Sequence, residues 1–522
     1  MIRVSNLSTK SGALQALVTA LVTSSCFLGS NSRQSKAKST TSQADSPSFG
    51  CASVIQALGD NVQAVTCFLS TDLTTQNPQT TPPDNSIPGL PRGAFAPRTD
   101  AHALVATPTP ITHAVPGLQL AGSMADDIQA RWVLRLPAEG WTGRLIVGVP
   151  SAVRSEYNGD IFISDYVLGR ADAYISTNKG HYASYVTTPN DPLGCRASPP
   201  GTPSQGGGAS NTFIHFYLLD PGHSFKGWFQ RTKEVGVLGK VATKTAYGHK
   251  PDHTYLFGYS VGGMTTRHIL AEDPGHHEFD GGVDAAGVYW SSSQRGDNVL
   301  VDFPAGVRNY LDYRQQGYSA RSPAYAAMLE AGFPPDFFAQ PPSTPKSPSI
   351  GSYWETEANQ FWNLLGCLLI KRVDPNYVGE TPSYNYRKRL ATTPDLWSNI
   401  EDIATSSKIE RPLITVQGTL DVLGPLRTHG RLFRDDVVAA HRGDLHRLYE
   451  IQNGSHVDPF RLPPFNFKQL QDVMPHAQRA LDLLKDWIEN DNQPPQGQCV
   501  PRGGQIVQNP TQPEHCARLL VP

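Results

Sequence analysis

The stretch that decides the fold is His253-Thr254-Tyr255-Leu256-Phe257-Gly258-Tyr259-Ser260-Val261-Gly262. The run from His253 to Gly258 predicts a buried strand, and the run from Val261 to Ala271 predicts a helix. Ser260 stands between them in a Gly-x-Ser-x-Gly pentapeptide. A sharp turn there exposes the serine hydroxyl at the carboxyl edge of a sheet, and the glycines let neighbouring backbone pass close by. We therefore predict that Ser260 is a nucleophile; the alternative is a glycine-rich turn with a chance serine.

An acid for this serine is expected further along the chain, since a hydroxyl is a poor nucleophile without a base and the base needs orienting. Asp421 follows the buried strand predicted for Pro412 to Gln417. It can accept a hydrogen bond from a histidine in the next loop. The alternative is an aspartate that serves only its turn. Asp284, at the end of the preceding predicted strand, is the reserve candidate.

His456 is the predicted general base. It follows the strand predicted for His446 to Ile451 through a polar loop, where a flexible connection can present it to the serine. The chain has 16 histidines, so alternatives exist. Five alternatives fall in predicted strands, helices or surface turns: His446, His429, His441, His276 and His277.

The oxyanion of an acyl-transfer reaction needs two backbone N–H donors. One is predicted to be Val261, directly after the nucleophile. The other is expected in the loop after an early strand, and because Pro150 has no N–H, the candidates there are Ser151 and Ala152. The run Gly206-Gly207-Gly208 lies too late in the chain and is interpreted as a surface loop.

Strands and helices alternate through most of the chain, which predicts an α/β fold with a mainly parallel sheet covered on both faces. The regular core is predicted to begin near Gln129. Its further predicted strands are Arg131–Leu136, Arg144–Val149, Ala173–Ser176 and Phe279–Ala286. The predicted helices include Phe225–Tyr247, closed by Gly248, and Pro475–Asn490, which has one apolar face.

The pattern breaks between Val288 and Ile403, where aromatic residues are dense. We predict a mostly helical lid over the site, with Tyr259, Tyr289 and Trp290 binding substrate. The alternative is that the aromatic residues only form the core of the lid. The predicted organisation is a signal segment (1–26), a Ser/Thr/Pro-rich tether and surface segment (27–112), the first part of the core (113–287), the lid (288–403), and the second part of the core with a tail (404–522).

The N-terminus predicts export. A basic start is followed by the short apolar run Ala13 to Val22 and by Thr23-Ser24-Ser25-Cys26, which is similar to a lipoprotein cleavage box. The protein is thus expected in the periplasm, as an outer-membrane lipoprotein anchored through Cys26, or secreted. Six further cysteines suit an oxidising compartment and allow fifteen pairings. The preferred one is Cys51–Cys67, Cys499–Cys516 and Cys195–Cys367.

Composition narrows the partners. The formal net charge is −2, from 44 basic and 46 acidic residues, and no basic run is present. We therefore expect no nucleic-acid partner, and membrane contact only through an N-terminal lipid. No cysteine pair has the spacing of a zinc site, and the predicted chemistry requires no metal or cofactor.

Several segments together resemble the branch of α/β-hydrolases that holds tannases, feruloyl esterases and hydroxybutyrate-oligomer hydrolases. They are the Ser260 turn, Gly143–Gly148, Tyr174–His181 and Tyr449–Asp458, within a resemblance that spans Trp132 to Trp487. The resemblance implies the α/β-hydrolase fold, the triad Ser260, Asp421 and His456, and an exported bacterial esterase for bulky, aromatic or oligomeric esters. It departs from tannases at Tyr259 and Val457, where those enzymes have cysteines joined in a disulfide. A tannin or ferulate substrate is therefore not carried over.

The sequence thus predicts an exported serine hydrolase that cleaves carboxylic esters through an acyl-enzyme on Ser260. An amidase or another C–N hydrolase with the same triad is the first alternative, because the two chemistries differ only in protonation of the leaving group. A non-catalytic binding protein with this fold is the second, and a complete set of three triad residues argues against it.

Overall fold

The computed structural model describes residues 49–84, 86–87, 90, 92–186, 194–196, 213–215, 225–272, 275, 278–293, 297–338, 352–463, 465–511 and 513–522. The predicted signal segment, residues 27–48 of the predicted tether, the glycine run 206–208, and His276 and His277 lie outside these residues. Within them, no helix is long and apolar enough to cross a membrane.

The strands of the described residues form two sheets. Their bounds are β1 Val62–Ser70, β2 Gly117–Met124, β3 Asp127–Pro137, β4 Arg144–Val149, β5 Ala173–Thr177, β6 Ser184–Val186, β7 Gly194–Arg196, β8 Phe213–His215, β9 His253–Tyr259, β10 Gly281–Ala285, β11 Leu413–Gly418, β12 His446–Ile451 and β13 Gln498–Val500.

The large sheet has ten strands in the order β1-β2-β3-β5-β4-β9-β10-β11-β12-β13. The pairs β1/β2, β2/β3 and β3/β5 are antiparallel. Every pair from β5 to β13 is parallel. The small sheet, β6-β8-β7, is antiparallel. The parallel strands therefore all deliver their carboxyl ends to one edge, where the loops that carry function meet.

The helices cover both faces of the large sheet. Their bounds are α1 Cys51–Leu58, α2 Pro97–Ala101, α3 Asp165–Leu168, α4 Lys226–Tyr247, α5 Val261–Glu272, α6 Asp297–Gln315, α7 Pro323–Glu330, α8 Tyr353–Glu357, α9 Asn363–Val373, α10 Tyr386–Thr392, α11 Leu396–Glu401, α12 Leu432–Ala439 and α13 Met474–Asn490.

Successive side chains of β4 point to opposite faces of the sheet, and both faces are covered by apolar clusters. Leu145 and Val147 pack in the cluster that holds Trp228 of α4, whereas Ile146 packs in the cluster that holds Leu481 of α13. All three strand residues are fully buried. A strand covered on both faces reads as a continuous apolar run, which is why the sequence indicated this element.

The predicted strands and helices of the parallel region are confirmed within one or two residues at most ends. Gly248 ends α4 in the left-handed conformation, with φ 86°, as the predicted cap requires. The prediction that the regular core begins near Gln129 was wrong, because β1 and β2 precede it in the same sheet. These strands form the antiparallel end, where β1 is mostly half-buried or exposed and carries no continuous apolar run.

The insertion between β10 and β11 is mostly helical, as predicted, and contains α6 to α11. All three preferred disulfides are present: Cys51–Cys67, Cys195–Cys367 and Cys499–Cys516. The second joins β7 to α9 of the insertion. A ten-stranded, mostly parallel sheet that crosses over at β3-β5-β4, with a strand-serine-helix turn after β9, is the α/β-hydrolase fold.

Candidate active site

Ser260 occupies the turn between β9 and α5 in a strained backbone conformation, with φ 56°. The left-handed region is uncommon for residues other than glycine. Two glycines permit the turn. A Cβ atom on Gly258 would lie 2.1 Å from the carbonyl oxygen of Gly262, and one on Gly262 would lie 1.9 Å from that of Val149. The pentapeptide therefore needs glycine at both positions. The turn after β4 packs directly against the start of α5 at Gly262.

The structure brings Ser260, His456 and Asp421 into one hydrogen-bonded chain. His456 Nε2 lies 2.9 Å from Ser260 Oγ, and His456 Nδ1 lies 2.8 Å from Asp421 Oδ2. All three side chains are buried, with exposed fractions of 6 %, 2 % and 0 %. Because an ionised carboxylate only accepts hydrogen bonds, Nδ1 carries the proton and Nε2 is left to accept from the serine hydroxyl.

Backbone N–H groups hold the Asp421 carboxylate in place. Asp421 Oδ1 accepts hydrogen bonds from the backbone of Leu423 at 2.9 Å and Gly424 at 2.8 Å. Oδ2 is thereby directed at the histidine. The loop that follows β11 thus folds around the acid and fixes its orientation before any substrate binds.

Asp284, the reserve acid, is engaged elsewhere. Arg267 Nε donates to Asp284 Oδ2 at 2.5 Å, and Thr415 Oγ1 donates to the same oxygen at 3.0 Å. Burial raises the pKa of Asp284, and the neighbouring guanidinium opposes the rise. This carboxylate ties α5 to β11 and is not hydrogen-bonded to His456.

Two of the alternative histidines, His429 and His446, point into the interior. His429 Nδ1 accepts a hydrogen bond from the backbone of Tyr289, and His446 Nε2 lies 3.0 Å from Thr415 Oγ1. Burial is the main cause that lowers the pKa of His429 to about 3 and lowers the pKa of His446. Both are neutral imidazoles with structural hydrogen bonds. His441 lies in the turn after α12, not on a helix as predicted.

The turn after β4 contains the two predicted oxyanion donors, the backbone N–H groups of Ser151 and Ala152. The backbone N–H of Ser151 donates to Asn158 Oδ1 at 3.1 Å, so it is already engaged. Ala152 is half-buried and adopts a positive φ of 32°. Val261 stands at the first position of α5, beside the serine. With the N–H of Ser151 engaged, Ala152 remains the predicted donor from this turn, together with Val261.

Two of the three aromatic residues predicted to bind substrate are interior side chains. Tyr289 and Trp290 have exposed fractions of 1 % and 0 %. The Tyr289 hydroxyl donates to Asp436 Oδ2 at 2.7 Å, and its ring packs on Phe433. Both rings are shielded from solvent, because the chain leaving β10 runs through the core before it reaches the insertion.

Tyr259, the third predicted substrate residue, does lie beside the triad. Its ring centre is 5.6 Å from that of His456, and its hydroxyl has no hydrogen-bond partner among the described residues. Burial raises the pKa of this phenol well above its ordinary value, and the nearby Asp421 adds to the rise. The hydroxyl is therefore a neutral donor in the interior next to the reacting groups.

Two residues of the insertion that sequence reasoning missed also approach the triad. The backbone N–H of His456 lies 3.5 Å from the hydroxyl of Tyr353, at the start of α8. Glu357, four residues later on the same helix, is fully buried, and neither carboxyl oxygen has a partner among the described residues. Burial, with a contribution from Asp421, raises the pKa of Glu357 well above its ordinary value. No sequence signal separates these two from the other aromatic and acidic residues of the insertion.

A cluster of aromatic rings surrounds Tyr353. The rings of Phe460 and Phe467, which follow His456 in the chain, lie 5.5 Å from it, and Phe338 lies 6.3 Å from it. Insertion and histidine loop are thus joined by edge-to-face contacts. The insertion therefore covers the histidine side of the site with apolar surface.

Comparisons with models of known protein families and with curated proteins gave no match. The structure is similar to that of an esterase from Aspergillus oryzae, with a TM-score of 0.47, 14 % identity, and 83 % of this chain and 87 % of the other covered. It is also similar to feruloyl esterase B from Aspergillus oryzae, with a TM-score of 0.45, 13 % identity, and 83 % and 88 % covered. Tannin acyl hydrolase from Aspergillus niger gives a TM-score of 0.38, 13 % identity, and 82 % and 84 % covered.

Proposed function

We propose that this protein is a serine hydrolase that cleaves carboxylic esters through an acyl-enzyme on Ser260. The observation that carries the proposal is the hydrogen-bonded chain from Asp421 through His456 to the hydroxyl of a serine on a strained turn. A buried serine, histidine and aspartate in this order and at these distances match the geometric criterion for nucleophilic catalysis.

In the proposed acylation step, His456 Nε2 takes the proton of Ser260 as the oxygen attacks the ester carbonyl. The imidazolium that forms is stabilised by the Asp421 carboxylate, which is held by two backbone N–H groups. The negative charge that develops on the carbonyl oxygen is met by the N–H groups of Val261 and Ala152. The alcohol then leaves with the proton from His456.

In the proposed deacylation step the same groups act in reverse. His456 takes a proton from a water molecule, which attacks the acyl-enzyme and releases the acid and Ser260. An amide substrate would need the same groups and a more strongly protonated leaving nitrogen.

We propose bulky, aromatic or oligomeric esters as the substrate class. The support is the apolar cover that Tyr353 and its neighbouring rings place beside His456, since apolar walls with a few polar groups are the usual form of a ligand pocket. Tyr259 supplies one such polar group. Tyr289 and Trp290 are not part of this argument, because the argument rests on rings beside His456, whereas the ring neighbours of these two residues include Phe433 of α12 and Phe225 before α4.

Export is proposed on separate grounds. The three disulfides are typical of proteins in an oxidising compartment. Cleavage at or near Cys26, with or without lipid on that residue, follows from the predicted signal. The mass of the mature N-terminal peptide from a bacterial host tests this, and an intact Met1 in the cell-envelope fraction would contradict it.

Kinetics of Ser260→Ala on a panel of short alkyl, long alkyl, aryl and hydroxyalkanoate esters, with matched amides, test the function. We expect hydrolysis of esters in preference to amides, and a loss of roughly 10⁴-fold or more in kcat for the variant. Ser398→Ala is the matched control, since this exposed serine donates to the backbone carbonyl of Asp395, three residues earlier. Preference for the amides would reassign the protein as a C–N hydrolase, and an active Ser260→Ala would remove the proposed mechanism.

A further inference from the structure

Lys179 is a buried lysine at the same sheet edge as the triad. It follows β5, which runs parallel to β4, so its turn lies next to the turn after β4. Both Lys179 and Gly180 have positive φ, 60° and 80°, although only the second is a glycine. The backbone N–H of Lys179 donates to Thr177 Oγ1, which holds the strained turn. Strain at a lysine in such a position calls for a reason.

The side chain of Lys179 is fully buried and reaches one backbone group. Its Nζ donates to the carbonyl oxygen of Pro150 at 2.8 Å, and it lies 5.7 Å from the centre of the Trp228 ring. Burial lowers the pKa of Lys179 to about 7, against the attraction of the Asp100 carboxylate. Burying this amine costs free energy, and an apolar side chain of similar length would fill the same space without that cost.

Pro150 begins the turn that carries the proposed oxyanion donors. The next residue, Ser151, is held from the opposite side, because its N–H donates to Asn158 Oδ1. Asn158 is in turn bonded to the backbone carbonyl of Asp100 through its amide nitrogen. Side-chain hydrogen bonds thus hold two consecutive residues of the turn. Lys179 donates to the carbonyl of Pro150, and Asn158 accepts from the N–H of Ser151.

The same turn also contacts α5, the helix that follows Ser260. The carbonyl oxygens of Val149 and Pro150 lie against Gly262, where a Cβ atom would approach them to 1.9 Å and 2.8 Å. A shift of the Pro150 peptide therefore changes the position of Ala152 relative to Ser260. Preorganised donors lose much of their effect when they move by about 1 Å.

We propose that Lys179 is a positioning residue for acyl transfer, which holds the Pro150 carbonyl so that the Ala152 N–H is aimed at the oxyanion. The inference rests on the proposed function and deepens it. It also gives a role to α2, since Asp100 supports both Lys179 and Asn158 from a segment that the sequence indicated only as surface.

Lys179→Met tests the inference, because it removes the donor and keeps an unbranched side chain. With p-nitrophenyl acetate we expect kcat to fall about 10- to 100-fold while KM stays within about twofold. The affinity for an alkyl boronic acid, which forms a tetrahedral adduct on a nucleophilic serine, should fall by the same factor as kcat/KM. Lys179→Gln keeps an N–H donor at shorter reach and should recover part of the rate.

Lys240→Met is the matched control. This lysine of α4 also donates to a backbone carbonyl, that of Glu278, but it lies on a helix away from the turn. Its kcat should stay within about twofold of the wild type. Thermal melts establish that each variant folds, and if Lys179→Met does not, Lys179→Leu, which also lacks the donor, is judged by the same KM and kcat criterion.

The outcomes distinguish a failure of the role of Lys179 from a failure of the proposed function. A folded variant that lacks the donor, with unchanged kcat and unchanged boronic acid affinity alongside an inactive Ser260→Ala, overturns the role of Lys179 and leaves the proposed function standing. An equal loss of rate in Lys240→Met also overturns that role, since the effect would then be general. An active Ser260→Ala overturns both.

Discussion

Glu357 holds a carboxyl group in the interior without a hydrogen-bond partner among the described residues. Burial is the first cause of its raised pKa, and the charge of Asp421 is the second. The neutral form is therefore favoured in the folded protein, and a single negative charge remains beside His456. Because the folded pKa lies above the unfolded one, the stability linked to this group is complete below the unfolded pKa. It is lost as the pH rises through the folded pKa.

Glu357→Gln replaces this neutral acid with a neutral amide of nearly the same shape. We expect the variant to match the wild type in thermal stability at pH 4 and to be more stable at pH 8, because in this range the wild type binds an additional proton on folding, at Glu357, that the variant does not. Thermal melts across that range check it. The exposed Glu139→Gln is the control and should show no such divergence. A wild type and a Glu357→Gln variant with parallel pH profiles would contradict the account.

The sequence was sufficient to predict the residues of the candidate triad, because each follows a buried strand and carries a chemistry that few neighbours share. The sequence did not predict which other residues lie beside the triad. Tyr353 and Glu357 belong to an insertion rich in similar residues, and nothing local indicates which helix face meets His456. Lys179 looks like a turn residue until the structure places its Nζ on Pro150.

Among the elements, the parallel strands β4, β9 and β11 agree with prediction because burial on both faces leaves a run of mostly apolar residues. The antiparallel strand β1 and the three-residue strand β13 at the ends of the sheet were missed. A short or half-exposed strand has a weak periodic signal, and its place depends on its neighbours. Tyr289 and Trp290 were misplaced for the related reason that chain position alone does not distinguish a core segment from a pocket wall.

The bridge Cys195–Cys367 joins α9 of the insertion to β7, over a sequence separation of 172, whereas Cys499–Cys516 spans 17. In the chain-entropy model a disulfide stabilises more when it closes a longer loop. Replacing both cysteines of the long bridge with serine should therefore lower the free energy of unfolding by about 2 kcal/mol more than the same replacement in the short bridge. Urea denaturation of the two double variants measures the difference. A larger loss from the short bridge would contradict this prediction.

At the scale of the whole molecule, the fold gathers groups that lie far apart in the chain. Ser260 and His456 are separated by 196 positions, and Asp421 and His456 by 35. They meet because β9, β11 and β12 are parallel members of one sheet and end at the same edge. The turns after β4 and β5 reach that edge as well, and the insertion between β10 and β11 covers its histidine side. One architectural feature thus accounts for the nucleophile, its base, its acid and the proposed oxyanion turn.

The central claim is that Ser260 is a nucleophile activated by His456. The most direct measurement is reaction of the folded protein with a fluorophosphonate, followed by identification of the modified peptide by mass spectrometry. We predict one phosphonate on Ser260, no labelling of Ser260→Ala, and a labelling rate that falls by a factor of about 10² or more in His456→Ala, because the base is lost. Labelling on another residue, or equal rates with and without His456, would contradict the account.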